Sequence, residues 1–125
     1  MANLLLHGVK DSGTKNEYVL MKAVADVDLG DYIVTDTTFR KNGVVSNKAR
    51  HVYEFKKQVI KKDEWVALFT TTGTDKPGKS ADNKLVMHYF YWGLDHMIWN
   101  DTGDKAWLLY APAAERQSKV VAPAK

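Results

Sequence analysis

The chain has 125 residues, no cysteine and a formal net charge of +3, with 45% apolar and 26% charged residues. This is the size and composition of one globular domain, and the absence of thiols excludes a disulfide scaffold, a thiolate metal centre and a cysteine nucleophile. No apolar run approaches the ~20 residues of a membrane span, and Met1 to His7 lacks the basic end and long apolar stretch of a secretory signal. The expectation is a protein that is cytoplasmic or assembled into a larger particle, without membrane insertion.

Hydrophobic patterning reads as strand along nearly the whole chain. Leu4-Leu5-Leu6 is a weak first candidate. After the turn-like Asp11 to Asn16 comes Glu17-Tyr18-Val19-Leu20-Met21-Lys22, then Tyr32-Ile33-Val34-Thr35, His51-Val52-Tyr53-Glu54-Phe55 and Trp65-Val66-Ala67-Leu68-Phe69-Thr70. Leu85 to Tyr91, Met97-Ile98-Trp99 and Lys105 to Tyr110 follow, with Lys119-Val120-Val121 a weak last candidate. β-branched and aromatic side chains suit a pleated, half-buried surface, and Gly, Asn and Asp punctuate the runs at Leu29-Gly30-Asp31, Lys41-Asn42-Gly43 and Asn100 to Asp104. Arg40 to Arg50 and Thr71 to Lys84 read as loops. No window carries a helical stripe, so eight or nine short strands predict an all-β sandwich or barrel over residues 1–121, with 122–125 as a tail.

Candidate chemistry is sparse. Gly73-Thr74-Asp75-Lys76-Pro77-Gly78-Lys79-Ser80 satisfies the P-loop pattern, which works when a strand leads into it and a helix follows to hold phosphates. Here Leu85 to Trp92 reads as strand, so a solvated loop is expected. His7, His51, His88 and His96 show no metal-ligand spacing; Asp95 beside His96 is the one candidate for a composite His/Asp site. Asp26, Asp28 and Asp31 resemble a calcium loop loosely, but Gly30 stands at its fifth position and no Glu follows at the twelfth, which leaves turn shaping. The reading is of no catalytic residue, cofactor or metal.

Charge is segregated along the chain. Arg40, Lys41, Lys48, Arg50, Lys56, Lys57, Lys61 and Lys62 lie in one stretch opposed by Glu54 alone, while acids gather at Asp26 to Asp36 and Asp95 to Asp104. Such a stretch can grip nucleic-acid phosphates, steer contacts between copies of the chain or meet an acidic protein.

Three runs carry a resemblance. Glu17-Tyr18-Val19-Leu20-Met21 with Ala25 to Asp36, then His51 to Phe55 with Val59 and Trp65 to Leu68, then Trp92-Gly93 with Ile98 to Leu108 occur in the order of the lamin tail domain family. The last run resembles the family's W-N-[ND]-x-G-D-x-A-x-L signature most specifically. The chain looks like a stand-alone bacterial- or phage-type member. The resemblance implies an immunoglobulin-like β-sandwich with no catalytic constellation; in nuclear lamins this domain is an appendage that engages other proteins and has been connected with DNA and chromatin.

Physically, the most family-like residues, Asp28, Gly30, Tyr32, Asp36, Trp92, Gly93, Trp99, Asn100, Gly103 and Asp104, read as architecture. Asn100 to Asp104 makes a tight turn, Trp99 and Trp107 flank it as packing anchors, and Asp28 and Asp36 cap bends around the Tyr32 strand. The functional expectation is a non-catalytic interaction module, a structural or adaptor part of a larger assembly whose partners are proteins, copies of itself included. The alternative is nucleic-acid binding through residues 40–62. Tyr89, Tyr91 and Trp92 are the candidate contact aromatics, provided one face of their strand is exposed.

Overall fold

The computed structural model describes residues 3–39, 45–80, 82–99 and 104–121. Ten strands form there: β1 Leu4–Lys10, β2 Tyr18–Ala23, β3 Val27–Asp28, β4 Tyr32–Phe39, β5 Val45–Glu54, β6 Val59–Ile60, β7 Trp65–Phe69, β8 Lys76–Lys79, β9 Val86–Tyr91 and β10 Asp104–Tyr110. The only helical elements among the described residues are single 3-10 turns at Leu29–Asp31 and Ala113–Glu115. The class is all-β, and no helix among the described residues is long and apolar enough to cross a membrane.

The strands form a five-stranded sheet in the order β1-β2-β7-β9-β8, a three-stranded sheet β10-β4-β5, and the short pair β3-β6. All pairings are antiparallel except β7 with β9. That exception arises because the chain leaves β7, runs past the end of β9 to the sheet edge as β8, and turns back through β9. One core lies between the sheets. Alternate residues supply it: Val19 and Met21 from β2, Val66 and Leu68 from β7 and Phe90 from β9 meet Tyr32 and Val34 of β4. Edge-to-face rings extend this packing from Phe90 to Phe55 at 5.3 Å, from Phe55 to Tyr53 at 5.0 Å and from Tyr53 to Trp92 at 5.6 Å.

A buried carboxylate fastens one end of this core. Glu17, fully buried, accepts at Oε2 from the Thr70 hydroxyl at 2.6 Å, the Ile98 N–H at 2.9 Å and the Trp99 N–H at 3.2 Å. Its Oε1 accepts from the Gly13 N–H at 2.9 Å. Met97-Ile98-Trp99, expected as a strand, is therefore an extended segment without a sheet partner, held instead by this carboxylate while Ile98 and Trp99 fill the core.

Three other expectations need correction. Residues 45–50, assigned to a basic loop, lie in β5, because pairing to β4 (Thr37 opposite Ala49, Phe39 opposite Val45) extends the hairpin past its apolar half. Within the supposed 71–84 loop, Lys76–Lys79 is β8, antiparallel to β9. Its Pro77 is tolerated because β8 is an edge strand, and Lys and Pro there discourage further pairing. Lys119-Val120-Val121 forms no strand and stands in solvent.

Candidate functional site

The outward face of the five-stranded sheet is aromatic. Cross-strand neighbours share a face, so three rows can be read across it: Lys10, Tyr18, Phe69 and Tyr91; then Leu20, Ala67, Tyr89 and Lys76; then Lys22, Trp65 and Met87. These residues alternate with the core positions and point away from the other sheet. Tyr18 contacts Phe69 at 4.9 Å between ring centroids, and Phe69 stacks on Tyr91 at 5.2 Å and 16°. Trp65 takes the His7 ring edge-on at 4.6 Å and the Lys22 ammonium at 5.3 Å.

The P-loop-like segment serves these rings. A Cβ on Gly73 would meet the Tyr91 ring at 2.4 Å, and one on Gly78 would meet the Tyr89 ring at 2.4 Å. Each ring thus lies against bare backbone, a close approach that glycine alone permits. Asp75 accepts from the Tyr91 N–H at 2.9 Å, and the Tyr89 hydroxyl donates to the Lys79 carbonyl at 3.1 Å. The segment runs into β8, not into a helix, so it forms no phosphate cradle. It seats two tyrosines.

Two adjoining hollows cross the face. One of about 310 Å³ is bounded by Tyr18, Ala67, Phe69, Met87 and Tyr89, and one of about 210 Å³ by Tyr18, Leu20, Trp65, Leu85 and Met87, with Ser80 at the rim of both. Ala67 makes the floor low between the larger Leu20 and Tyr89. The strand positions of this face carry Lys10, Lys22 and Lys76 and no carboxylate. Acids stand in the bordering turns, Asp11 directly after Lys10, and Asp75 and Asp82 on either side of β8. Asp75 is engaged with Tyr91, while Asp82 accepts from the Ser80 hydroxyl and the Lys84 N–H, which hold its carboxyl below the usual range.

The basic stretch is arranged differently from its sequence pattern. Arg40 and Lys41 lie outside the described residues, and Lys48 and Arg50 are described only as backbone of β5. Lys56, Lys57, Lys61 and Lys62 are exposed, and folding brings acids to Lys61 and Lys62. Asp26 sits 3.5 Å from the Lys61 ammonium and accepts from the Lys62 N–H at 2.9 Å, which lowers its pKa. Glu64 accepts from the Lys61 N–H at 2.9 Å and lies 3.1 Å from His88 Nε2; both contacts lower its pKa, the backbone bond most. Arg116 approaches Glu54 at 3.7 Å. At the Lys61–Lys62 end, acids distant in sequence therefore offset the basic charge.

His96 meets a partner that sequence spacing does not reveal. Its ring centroid is 5.7 Å from that of His51. His96 Nδ1 lies 2.7 Å from Asp95, which lowers the Asp95 pKa, and His51 Nδ1 lies 2.9 Å from Asp36. Asp36 is buried and also accepts from the His51 N–H at 2.6 Å. That N–H falls where the β4–β5 register shifts between Thr35 and Thr37, so the carboxylate satisfies a donor displaced by the bulge. Asp36 therefore sits within β4 opposite a bulge and not at a bend. No group of three His, Asp or Glu among the described residues is placed to hold a metal ion.

The remaining motif residues are structural where described. Asp28 accepts from the Gly30 and Gln58 N–H groups at 2.9 and 3.1 Å, closing the 3-10 turn and tying it to the β5–β6 connection. Gly30 is buried, and the Tyr32 hydroxyl accepts from the Asn3 N–H at 2.9 Å. Trp92 packs against the core, so it does not share the outward face of Tyr89 and Tyr91. Gly93 turns the chain with φ +85°, and Trp99 is buried. Asn100 and Gly103 lie outside the described residues; Asp104 begins β10. The sequence matches no protein-family model and no curated protein.

Sequence reading passed over Tyr18, Trp65, Phe69, Lys10, Lys22 and Lys76. The signal was that β7 is apolar at both parities, Trp65-Val66-Ala67-Leu68-Phe69. A strand with one face on the core leaves the other apolar face without a layer.

Proposed function

We infer that the chain is a non-catalytic binding module, an immunoglobulin-like β-sandwich of the lamin tail type, and that the outward face of its five-stranded sheet is its contact surface. The observation that carries this reading is the aromatic face itself: five aromatic rings at alternating positions opposite the core, with hollows between them. Contiguous apolar surface on a domain marks a contact site. The shared core between the sheets and the order of the three sequence runs support the sandwich and the family. The buried Asp36–His51 bonds are accounted for by the bulge, which leaves that pair a structural role.

The test compares the wild type with Tyr89→Ser/Tyr91→Ser in sedimentation velocity and in retention on immobilised single-stranded DNA, polyglutamate and cellulose. The wild type is expected to self-associate or to be held by one of the three surfaces, and the double variant, folded by circular dichroism, to lose that behaviour. Identical behaviour of the two proteins in all four assays would contradict the reading.

A further inference from the structure

We propose that the ligand of the aromatic face is a single-stranded nucleic acid, its bases stacked on the rings of β2, β7 and β9 and its phosphates met by Lys10, Lys22 and Lys76. This rests on the reading of that face as the contact surface and names its partner.

The charge of the face selects the partner. Its strand positions present three ammonium groups and no carboxylate; the carboxylates of Asp11, Asp75 and Asp82 stand in the bordering turns, those of Asp75 and Asp82 turned to Tyr91, Ser80 and Lys84. An anion with flat apolar faces suits that surface. Base–aromatic stacking combined with a basic track is how single strands are held without sequence preference. A neutral polysaccharide could lie on the same rings but would leave the three ammonium groups without a counter-charge.

The geometry fits bases and not a duplex. Strands lie about 4.8 Å apart, so the ring-bearing rows of β2, β7 and β9 span about 10 Å, room for two or three unstacked bases. The hollow floored by Ala67 lies between Tyr18, Phe69 and Tyr89 and would take one base edge-on. Lys10 and Lys76 stand on opposite edge strands of the sheet, so a strand crossing the face meets cations at entry and exit. A duplex keeps its bases stacked and offers the rings nothing.

The site differs from the basic stretch 56–62. Lys61 and Lys62 lie against Asp26.

The experiment is fluorescence anisotropy of a short labelled oligothymidylate titrated with the full chain at rising salt. Saturable binding is expected, with log affinity falling by about 2 per decade of salt for three phosphate contacts. Tyr89→Ser should weaken it at least about fivefold, and Lys10→Glu/Lys76→Glu should abolish it, whereas Lys56→Glu/Lys57→Glu should leave it unchanged. Circular dichroism establishes that each variant is folded. Equal binding of a duplex, displacement by polyglutamate but not by unlabelled single strand, or loss of binding only in Lys56→Glu/Lys57→Glu would each overturn the proposal. If the oligonucleotide is not bound but Tyr89 and Tyr91 still govern retention on another surface or self-association, the nucleic-acid assignment fails and the binding-module reading stands. If neither behaviour depends on the face, both fail.

Discussion

Glu17→Ala is expected to destabilise the protein by about 3–5 kcal/mol, enough to remove much of the stability of an ordinary domain. The carboxylate is fully buried and accepts four hydrogen bonds, from Gly13, Thr70, Ile98 and Trp99. Truncation leaves those donors facing a void, and each unpaired buried donor costs about 1–3 kcal/mol before relaxation and entering water recover part of it. The loss also spreads. Met97 to Trp99 has no sheet partner, so releasing Glu17 frees the segment that brings Trp99 into the core. Glu17→Gln keeps the shape but turns one acceptor into a donor that faces N–H groups, and should cost about half as much. Urea unfolding of the three proteins measures this. A midpoint for Glu17→Ala equal to that of the wild type would show that the segment is held by packing alone.

Phe90→Ala is expected to cost about 3–5 kcal/mol, whereas Tyr89→Ser, one residue away, should cost about 1 kcal/mol or less. Phe90 points into the core, 6% exposed, against Phe55 at 5.3 Å. Tyr89 points out, where its ring rests on Gly78 and near Phe69 at 6.1 Å. Truncating Phe90 opens a cavity between the sheets; truncating Tyr89 exposes a patch of backbone already near water. The contrast separates rings that hold the fold from rings that are surplus to it. Equal costs in thermal or urea unfolding would mean that the outward aromatics are a second core, and the contact surface would have to be sought elsewhere.

Much of the fold is legible in the sequence because burial writes a period of two. β2, β4 and β10 each present alternate apolar residues to the core, and their positions follow from that pattern, while β7 and β9 show as continuous apolar and aromatic runs. β8 is not legible, since Lys76-Pro77-Gly78-Lys79 has no apolar face and exists as a strand only through its ladder with β9. The first half of β5 is hidden for the same reason, and β3 and β6, at two residues each, are too short to show a period. Met97 to Trp99 misleads in the other direction: Ile98 and Trp99 are buried, but in a segment pinned by Glu17 rather than in a strand.

The candidate site is legible only in pieces. Tyr89 and Tyr91 stand out in the sequence, yet the neighbours that make them a surface, Tyr18, Phe69 and Trp65, come from strands whose pairing no local pattern specifies. Gly73 and Gly78 match a phosphate-loop spacing while their use, under two tyrosine rings, depends on where β8 returns beside β9. The basic stretch shows the same limit, because Asp26 is 35 residues from Lys61 and meets it only through the β3–β6 pair.

The most direct measurement of the central claim is an amide ¹H–¹⁵N spectrum recorded while oligothymidylate is added. Shifts are expected to be confined to Val9 and Lys10, Tyr18 to Lys22, Trp65 to Phe69, Lys76 to Lys79 and Val86 to Tyr91, largest near Ala67 and Tyr89. Shifts concentrated at Tyr53 to Lys62, with the outward face of the five-stranded sheet unmoved, would contradict it.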